Sequence, residues 1–428
     1  MASSLTSSSI AKLRGQLAIS VGDLAARASQ LAGRGTGSSI RGMVINKLAP
    51  NLFDQLLAGK RVALVSGTNG KTTTTHFLTA AMREAAGRPD DVVTNPEGAN
   101  LREGIVSALS TNRRAPIAVL EVDEQIVPSA VQAGAPEVLI MLNFSRDQLD
   151  RHHEINALGR RWRAALEAAG QAAPVAVANA NDPLIVWAAN AAREQIWVDL
   201  GTGFNMDAAL CPQCGSILTF EADDWACPDC ELRRPQPDYW VADGRVYLAT
   251  GVSYELNLQT PGRFNQGNAA CAMAAARVMG VEPQVALRGI RQVSSPAGRF
   301  AVGEYRQPDG RVTKARLMLS KNPAGWLEGL LIMKSDPVIL AIDSDIADGA
   351  DVSWLYDVEY EQLRGRRVIA TGPRCLDLSV RLHYAEVEHE VIPELSDALR
   401  GPFDQTIDVL ATYSAFLRLC RMGGVELK

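Results

Sequence analysis

The chain has 428 residues, 47% of them hydrophobic, and its 43 basic and 48 acidic residues give a net charge of −5. This length allows two to four domains, each with a core of its own. The acidic balance gives no electrostatic reason to expect a nucleic-acid partner. No run reaches the ~18 consecutive apolar residues of a membrane span. We therefore expect a globular cytoplasmic protein.

An N-terminal arm, residues 1–45, is predicted to be helical. Between Ile10 and Leu31, four charged side chains stand among apolar positions, which is an amphipathic pattern and not a signal-peptide core. We expect this helix to pack on the body of the protein, and a helix lying on a membrane surface is the alternative. The Gly/Ser-rich stretch from Gly33 to Ser39 predicts a flexible connection.

Short apolar runs then alternate with helical segments. The runs Val62–Val65, Ile117–Leu120 and Val138–Leu142 each lead into polar residues, and helical stretches such as Ile155–Ala169 lie between such runs. This alternation predicts a doubly wound parallel α/β sheet. Ligands of such sheets bind at the carboxyl ends of the strands. We assign this central domain to residues 46–298.

A last α/β unit is predicted for residues 299–428. A Ser/Pro/Gly stretch from Ser294 to Arg299 is typical of a hinge, and the apolar runs Val338–Ile342 and Val368–Ala370 follow it. A Rossmann-like C-terminal domain is therefore expected.

A glycine-rich loop separates the first predicted strand from a helix. Its residues are Gly67, Thr68, Asn69, Gly70, Lys71 and Thr72, followed by Thr73. Glycines let backbone N–H groups turn toward phosphate oxygens, and the helix N-terminus adds partial positive charge. Lys71 can reach the terminal phosphates, and the hydroxyl of Thr72 can ligate Mg²⁺. The loop predicts an ATP site.

The short spacing Gly-x-x-Gly-Lys-Thr, in the context Val-Ser-Gly-Thr-Asn-Gly-Lys-Thr-Thr, resembles the Mur ligase family. These ATP-dependent enzymes build the peptide of peptidoglycan. The resemblance implies that Glu121 binds Mg²⁺ through oxygen, the ligand this ion favours. It also implies that Asn268 contacts the adenine end of ATP and that Arg299 belongs to the ATP site.

The segment from Asn143 to Asp150 is similar to a family motif in which a histidine binds a second metal ion. Gln148 stands in place of that histidine. The number of magnesium ions, one or two, therefore stays open.

Two Cys-x-x-Cys knuckles lie within a polar insertion, residues 205–235, of the central domain. Their cysteines are Cys211, Cys214, Cys227 and Cys230. Paired knuckles can aim four thiolates at one tetrahedral Zn²⁺, and a site filled in this way has no open position for catalysis. We expect a structural zinc ribbon, with iron as the minor alternative. A hairpin turning at Asp243-Gly244 is predicted to follow.

A cysteine ribbon in a Mur ligase core, together with the stretch Ala347–Glu361, resembles the MurT subfamily. The resemblance implies a heterodimer with GatD, a class I glutaminase that supplies ammonia. The pair would amidate the α-carboxylate of D-glutamate in the stem peptide of lipid II, giving D-isoglutamine. Membrane contact would then come through this substrate only, at the inner face of the membrane.

By the same resemblance, one aspartate of the last domain completes the glutaminase's Cys-His pair. Asp351 is our first choice and Asp357 the second, since an acid is needed to orient a histidine. Cys375 lies in Gly-Pro-Arg-Cys and not in the elbow sequence of a glutaminase nucleophile, which agrees with a separate glutaminase chain.

Two alternative functions stay open at this point. One is another ligase of the same superfamily, which joins an amino acid to a folate or peptide carboxylate and has no glutaminase partner. The other is a zinc-ribbon NTPase acting on nucleic acid, for which a basic ribbon face and salt-sensitive binding are expected.

Overall fold

The computed structural model describes residues 2–31, 37–95, 99–145, 155–201, 208–221, 224–260, 262–294, 300–307, 309–320, 322–345, 351–401, 403 and 405–425. They fall into two compact units. The first contains the residues up to Phe144, Asn156–Gln259 and Arg263–Ser294, and the second is built mainly from the described residues after Ser294. The predicted domain boundary between residues 298 and 299 lies outside the described residues and stays a prediction.

A group of helices precedes the first strand. They are α1 (Ala2–Leu31), α2 (Ser38–Leu48) and α3 (Leu52–Leu57). Helices α1 and α2 approach closely because α1 has glycine at the contact: a Cβ at Gly22 would lie 2.8 Å from Cγ1 of Ile45. Arg41 on α2 donates to Oδ1 of Asp23 on α1 at 2.6 Å. The stretch predicted to be helical forms helices, and the predicted end of the arm at residue 45 falls inside α2.

The first unit contains eleven described strands, of which five correspond to the predicted apolar runs and hairpin. The eleven strands are β1 (Arg61–Ser66), β2 (Val92–Thr94), β3 (Ile117–Glu121), β4 (Val138–Met141), β5 (Val175–Asn179), β6 (Glu194–Asp199), β7 (Thr219–Glu221), β8 (Asp224–Ala226), β9 (Tyr239–Ala242), β10 (Arg245–Leu248) and β11 (Ser253–Glu255). Over the described residues, nine of them form one sheet in the order β11-β10-β9-β6-β5-β4-β1-β3-β2, while β7 and β8 pair separately. The pairs from β2 through to β9 are parallel. The predicted parallel sheet is confirmed.

Helices connect these strands. They are α4 (Lys71–Ala86), α5 (Arg102–Thr111), α6 (Val127–Gly134), α7 (Ile155–Ala169), α8 (Pro183–Ala189), α9 (Arg263–Val278) and α10 (Pro283–Ile290), with 3₁₀ turns at Pro89–Asp91 and Gly170–Ala172. Residues Ala269–Ala276 of α9 are all buried, and six of these eight residues are alanines. Small side chains let α9 lie close to the sheet and to α4, with Phe77 and Leu78 of α4 in the same core.

The second unit is a separate α/β sheet. Its elements are β12 (Phe300–Arg306), β13 (Val312–Leu319), α11 (Pro323–Ile332), β14 (Val338–Ala341), β15 (Val368–Thr371), α12 (Cys375–Tyr384), β16 (His389–Ile392), α13 (Leu395–Ala398), β17 (Ile407–Ala411) and α14 (Tyr413–Met422), with 3₁₀ turns at Ser353–Asp357 and Tyr360–Leu363. The strand order is β12-β13-β17-β14-β15-β16, and only β12–β13 is antiparallel among the described pairs. The predicted C-terminal α/β domain is confirmed.

The hairpin predicted after the cysteines is present. Strands β9 and β10 pair in antiparallel fashion, with Ala242 opposite Arg245. The two turn residues, Asp243 and Gly244, have φ of 49° and 73°. Both values lie in the left-handed region that a type I′ turn requires.

Candidate active site and metal centre

The phosphate loop joins the end of β1 to the first residue of α4. Gly67 and Gly70 have φ of 136° and 85°. A Cβ at Gly67 would lie 2.8 Å from the backbone nitrogen of Asn143, and one at Gly70 would lie 2.6 Å from Oδ1 of Asn268. Both positions therefore require glycine, for conformation and for space. The loop forms the expected backbone cradle at the carboxyl edge of the sheet.

Asn143, directly after β4, holds this loop in place. Its Oδ1 accepts a hydrogen bond from the backbone N–H of Asn69 at 2.9 Å, and its Nδ2 donates to the carbonyl of Asn69 at 3.1 Å. Its own carbonyl accepts from the N–H of Thr68 at 2.8 Å. Two of these three hydrogen bonds involve the side chain of Asn143, which therefore has a positioning role.

Lys71 lies inside the loop and is buried. Its Nζ donates to the carbonyl of Gly67 at 2.5 Å and lies 3.0 Å from Oε1 of Glu124. Burial raises the pKa of the Glu124 carboxyl, and the charge of Lys71 lowers it without cancelling the effect of burial. The indole Nε1 of Trp162 donates to the Glu124 carbonyl at 2.8 Å and secures that residue.

Glu124 was not predicted from the sequence as a functional residue. The available signal was its position three residues after Glu121, in the polar stretch that ends a buried strand. That position alone does not distinguish an exposed acid from one that faces the loop.

Glu121 ends β3, the strand next to β1, with Val65 as its neighbour in the register. It is 3% exposed. Its Oε1 accepts from Nδ2 of Asn100 at 3.2 Å, and its backbone forms two hydrogen bonds with the side chain of Asn95, at 2.8 and 2.9 Å. A carboxylate oxygen at this edge, together with the hydroxyl of Thr72 in the first turn of α4, is an oxygen donor set that suits Mg²⁺.

The structure brings most of the predicted ATP-site residues together within the first unit. Asn268 of α9 contacts Gly70, since a Cβ added at Gly70 would lie 2.6 Å from Oδ1 of Asn268. Nδ2 of Asn268 donates to Oδ1 of Asn265 at 3.4 Å. Arg299 and Gln148 lie outside the described residues, so their predicted roles stay predictions. The donor set and the cradle fit a nucleotide triphosphate with its magnesium ion.

The four cysteines of the two knuckles converge, and all four sulfur atoms lie within 4.8 Å of one another. The Sγ atoms of Cys211 and Cys230 are 3.6 Å apart, and those of Cys214 and Cys227 are 3.4 Å apart. Four thiolates at ~2.3 Å from a tetrahedral zinc ion would lie about 3.8 Å from one another. The geometry and the donor chemistry therefore fit one zinc ion.

Backbone hydrogen bonds shape the knuckles. The N–H of Gly215 donates to the carbonyl of Cys211 at 2.9 Å, and Gly215 has φ of 84°. Hydrogen bonding with Ser216 lowers the pKa of the Cys214 thiol to about 6, whereas burial raises the pKa of the Cys211 thiol. A thiol that ionises readily is suited to metal ligation.

The cysteine ribbon is anchored to the turn that follows β5. The indole Nε1 of Trp225 donates to the carbonyl of Ala180 at 3.0 Å, and Nη2 of Arg234 donates to Oδ1 of Asn181 in the same turn at 3.1 Å. Arg234 also pairs with Asp199 at the end of β6 at 2.9 Å. Two residues after Ala180 in the turn, Oδ2 of Asp182 accepts from the N–H of Phe144 at 2.8 Å. Phe144 follows the asparagine that holds the phosphate loop. A continuous set of contacts therefore connects the ribbon with the ATP-site loop.

The two candidate aspartates of the second unit are both exposed. Oδ1 of Asp351 accepts from the N–H of Ser353 at 2.8 Å. That hydrogen bond, with a smaller effect from the charge of Arg374, lowers the pKa of the Asp351 carboxyl. Asp357 is the last residue of a 3₁₀ turn. An ionised, exposed carboxylate is available to a partner.

The segment that carries these aspartates is held firmly on α12. Its apolar side chains, Leu355 and Val358, are buried in the core of the second unit. Nη2 of Arg381 donates to the carbonyl of Val358 at 2.8 Å and forms an ion pair with Glu361 at 3.0 Å. The segment therefore presents its acids from a fixed base.

Large apolar side chains are exposed close to this segment. They are Tyr356 beside Asp357, and Leu376, Val380 and Tyr384 on α12. The three helix residues are spaced by four and so share one face. We call these four residues the α12 patch. Exposed apolar clusters of this kind mark interaction surfaces.

A cavity of about 540 Å³ lies along α4, away from the phosphate loop. Thr79, Arg83 and Gly87 of the helix region and Thr94 at the end of β2 are among its lining residues. None of the predicted ATP-site residues lines it.

Comparisons with known proteins agree with this site. Residues 65–276 match the family described as Mur ligase middle domain. Residues 319–416 match the family described as MurT ligase C-terminal. Together the matches span more than two thirds of the chain. The chain belongs to the Mur ligase family.

Within that family, the chain is similar to the MurT subunits of lipid II isoglutaminyl synthase. It is 29% identical over 443 residues to the MurT subunit of lipid II isoglutaminyl synthase from Streptococcus pneumoniae, covering 94% of this chain and 96% of the relative. It is 28% identical over 414 residues to the corresponding subunit from Staphylococcus aureus, covering 89% and 90%. The MurF ligase from Thermotoga maritima in complex with ADP has the same fold, with a TM-score of 0.59 at 15% identity, covering 89% and 83%.

Proposed function

We propose that the chain is the ATP-dependent subunit of a lipid II isoglutaminyl synthase. In this reaction, the α-carboxylate of D-glutamate in the lipid II stem peptide becomes a carboxamide. The observation that carries the proposal is the phosphate loop at the end of β1, with Lys71 buried inside it, in a chain whose second unit matches the MurT C-terminal family. Both named relatives are subunits of this synthase.

The chemical problem is that a carboxylate is a poor electrophile. One carboxylate oxygen attacks the γ-phosphorus of ATP, the bond to the β-phosphate oxygen breaks, and ADP leaves. The carboxyl group becomes an acyl phosphate. The loop N–H groups and Lys71 are suited to stabilise the negative charge that develops on the transferred phosphoryl group. When no phosphate is bound, Glu124 holds Lys71 inside the loop.

Magnesium would be held by the hydroxyl of Thr72 and the carboxylate of Glu121. The ion supplies charge neutralisation to the phosphate oxygens. Asn100 and Asn95 fix the position of Glu121 through its side chain and its backbone. Asn268, which contacts Gly70, is placed for contact with the nucleotide.

Ammonia is the second reactant. Its nitrogen attacks the acyl carbon, phosphate leaves with the bonding pair, and a proton is lost to give the amide. At neutral pH ammonia is mostly protonated and not nucleophilic, so direct delivery from a glutaminase of the GatD type is favoured. The exposed Asp351 and Asp357 and the adjoining α12 patch support a partner on this face of the second unit.

In the partner's active site, the carboxylate of Asp351 would orient the histidine that activates the cysteine nucleophile. Its lowered pKa keeps it ionised at neutral pH. Asp357 is the second candidate for the same role. The zinc ion held by the four cysteines would be structural, because all four of its positions are filled by thiolates.

Reconstitution tests this proposal. The chain and a GatD-type glutaminase are co-purified, and lipid II is incubated with ATP, Mg²⁺ and glutamine. Mass spectrometry should find conversion of the stem-peptide carboxyl to a carboxamide only when both subunits and ATP are present. Ligation of a free amino acid without a glutaminase would instead support an amino acid ligase. ATP hydrolysis stimulated by RNA or DNA would support the NTPase alternative.

A further inference from the structure

Helix α1 has a stripe of exposed apolar side chains. Leu13, Leu17 and Leu24 are 64%, 62% and 65% exposed, and Val21 and Leu31 are also exposed. At about 100° per residue, these five positions fall within an arc of about 80° of the helix. We call them the α1 stripe. A continuous row of this kind is unusual on a surface that faces water.

The stripe is not the face that packs on the protein. The packed face of α1 consists of Ile19 and small side chains: a Cβ at Gly15 would lie 2.9 Å from Leu52 of α3, and Gly22 approaches Ile45 of α2 equally closely. Ala18 is buried between them. The helix therefore has two apolar faces, and only one of them is covered by the described part of the first unit.

The charge around the stripe is positive. Residues 1–48 contain six basic residues and one acidic residue, a net charge of +5 in a chain of −5, so the remainder carries −10. The single acid, Asp23, is already paired with Arg41 of α2. On the helical wheel, Arg14 and Arg27 flank the stripe on its two sides. The N-terminal helices are thus a basic region attached to an acidic protein.

The spacing of the stripe argues against pairing with a second copy. In the best heptad register, Leu17, Leu24 and Leu31 occupy the d positions and Arg14, Val21 and Ala28 the a positions, so the apolar seam spans only two heptads. A coiled coil is expected to have an apolar seam over about three to four heptads. The row is suited to a non-specific apolar surface bordered by negative charge.

We propose that α1 binds the surface of an anionic lipid bilayer. The leucines of the α1 stripe enter the boundary between headgroups and acyl chains, and Arg27 reaches the lipid phosphates. Arg14, whose Nε donates to the carbonyl of Leu48 at 2.6 Å, adds positive charge beside the stripe. Basic residues near an anionic leaflet strengthen such binding, and salt weakens it. The protein itself makes this membrane contact, in addition to any contact through a lipid-linked substrate. It does not depend on the proposed ligase reaction.

Vesicle co-sedimentation of the full-length chain tests the proposal without any lipid II. One set of vesicles contains phosphatidylglycerol and phosphatidylcholine, and the other contains phosphatidylcholine alone. Binding should occur on the anionic vesicles, should weaken at high salt, and should fall at least about tenfold in the double variant Leu17→Glu, Leu24→Glu. Leu331→Glu, at an equally exposed leucine of α11, is the matched control and should bind as the unmodified chain does.

Unchanged circular dichroism and unchanged ATP affinity would establish that the double variant is folded. Equal binding of the unmodified chain and the double variant would overturn the proposal. So would the absence of binding to anionic vesicles at low salt. If light scattering instead finds a dimer that the double variant loses, and vesicles do not bind, the stripe is a self-association surface and the proposal is wrong.

Discussion

Nζ of Lys71 lies 3.0 Å from Oε1 of Glu124, and both side chains are buried. The pair keeps the lysine inside the phosphate loop, where the carbonyls of Gly67 and Thr68 also accept from it. A triphosphate entering the loop offers Lys71 a stronger partner than a single carboxylate. Glu124 is therefore a counter-ion that ATP can replace, and its protonation should affect nucleotide binding.

Replacing Lys71 should remove ATP turnover. In Lys71→Ala, the transferred phosphoryl group loses its cation, and we expect a loss of roughly a hundredfold to a thousandfold in kcat. Steady-state release of phosphate by the reconstituted complex measures this. Lys314→Ala, at an exposed lysine of the second unit, is the control and should keep full activity.

The alanine variant also leaves Glu124 buried without its cation, which destabilises a fold by about 3–5 kcal/mol. The double variant Lys71→Met, Glu124→Gln keeps the volume and removes both charges, so it should melt nearer to the unmodified chain. If this folded double variant turned over ATP at a near-normal rate, the assignment of the phosphate loop would be wrong.

Nucleotide affinity should depend on pH through Glu124. Burial raises the pKa of this carboxyl, so it takes up a proton at a higher pH than an exposed glutamate does. As the pH falls toward that pKa, the neutral carboxyl releases Lys71 and ADP should bind several-fold more tightly. Calorimetric titrations between pH 5 and 8, a range of about three units around neutrality, measure this.

Glu124→Gln is the control for that titration, because ADP itself also takes up protons in this range. The variant should retain only the pH dependence that belongs to the nucleotide. Identical pH profiles for the variant and the unmodified chain would exclude Glu124 as a titrating counter-ion.

The cysteine cluster should hold one zinc ion per chain. Elemental analysis should find it in the unmodified chain and in Cys271→Ala, whose cysteine is a buried core residue of α9. Cys214→Ser should lose the metal and melt at a lower temperature. Since the ribbon contacts Ala180 and the same turn holds Phe144 through Asp182, zinc removal should also weaken nucleotide binding. Full metal content in Cys214→Ser would contradict the assignment.

Asp351→Asn should spare ATP binding and reduce glutamine hydrolysis by the complex. The amide keeps the hydrogen bond with Ser353 but cannot stabilise a positively charged histidine. Asp357→Asn is the paired variant, equally exposed and on the same segment. If glutaminase activity is unchanged in Asp351→Asn and lost in Asp357→Asn, Asp357 has the role. If both variants are fully active, neither residue has it.

The strands and the phosphate loop could be predicted because their patterns are local. Val62–Val65 is apolar throughout since β1 is covered on both faces, and Gly67 and Gly70 mark the backbone conformations that the loop needs. The cysteine cluster was predictable for a related reason: two short knuckles of fixed spacing can bind only as a set.

Glu124 and the α1 stripe were harder to predict because they depend on which surface a neighbouring element covers. From the sequence alone, an acidic residue that follows a buried strand is expected to be exposed to solvent. Only the position of Lys71 in the fold distinguishes Glu124 from such a residue. The periodicity of α1 reveals an amphipathic helix, but its packed face consists of Ile19 and the small residues around Gly22, and the leucines are left exposed. Local pattern does not settle such a choice between two apolar faces.

Isotope transfer tests the central claim most directly. Lipid II is prepared with a heavy oxygen isotope in the D-glutamate α-carboxylate and is amidated by the complex with ATP and glutamine. If the carboxylate is activated by phosphoryl transfer at the loop, each amide formed should send one labelled oxygen into the released phosphate. Amidated product accompanied by unlabelled phosphate would contradict the account.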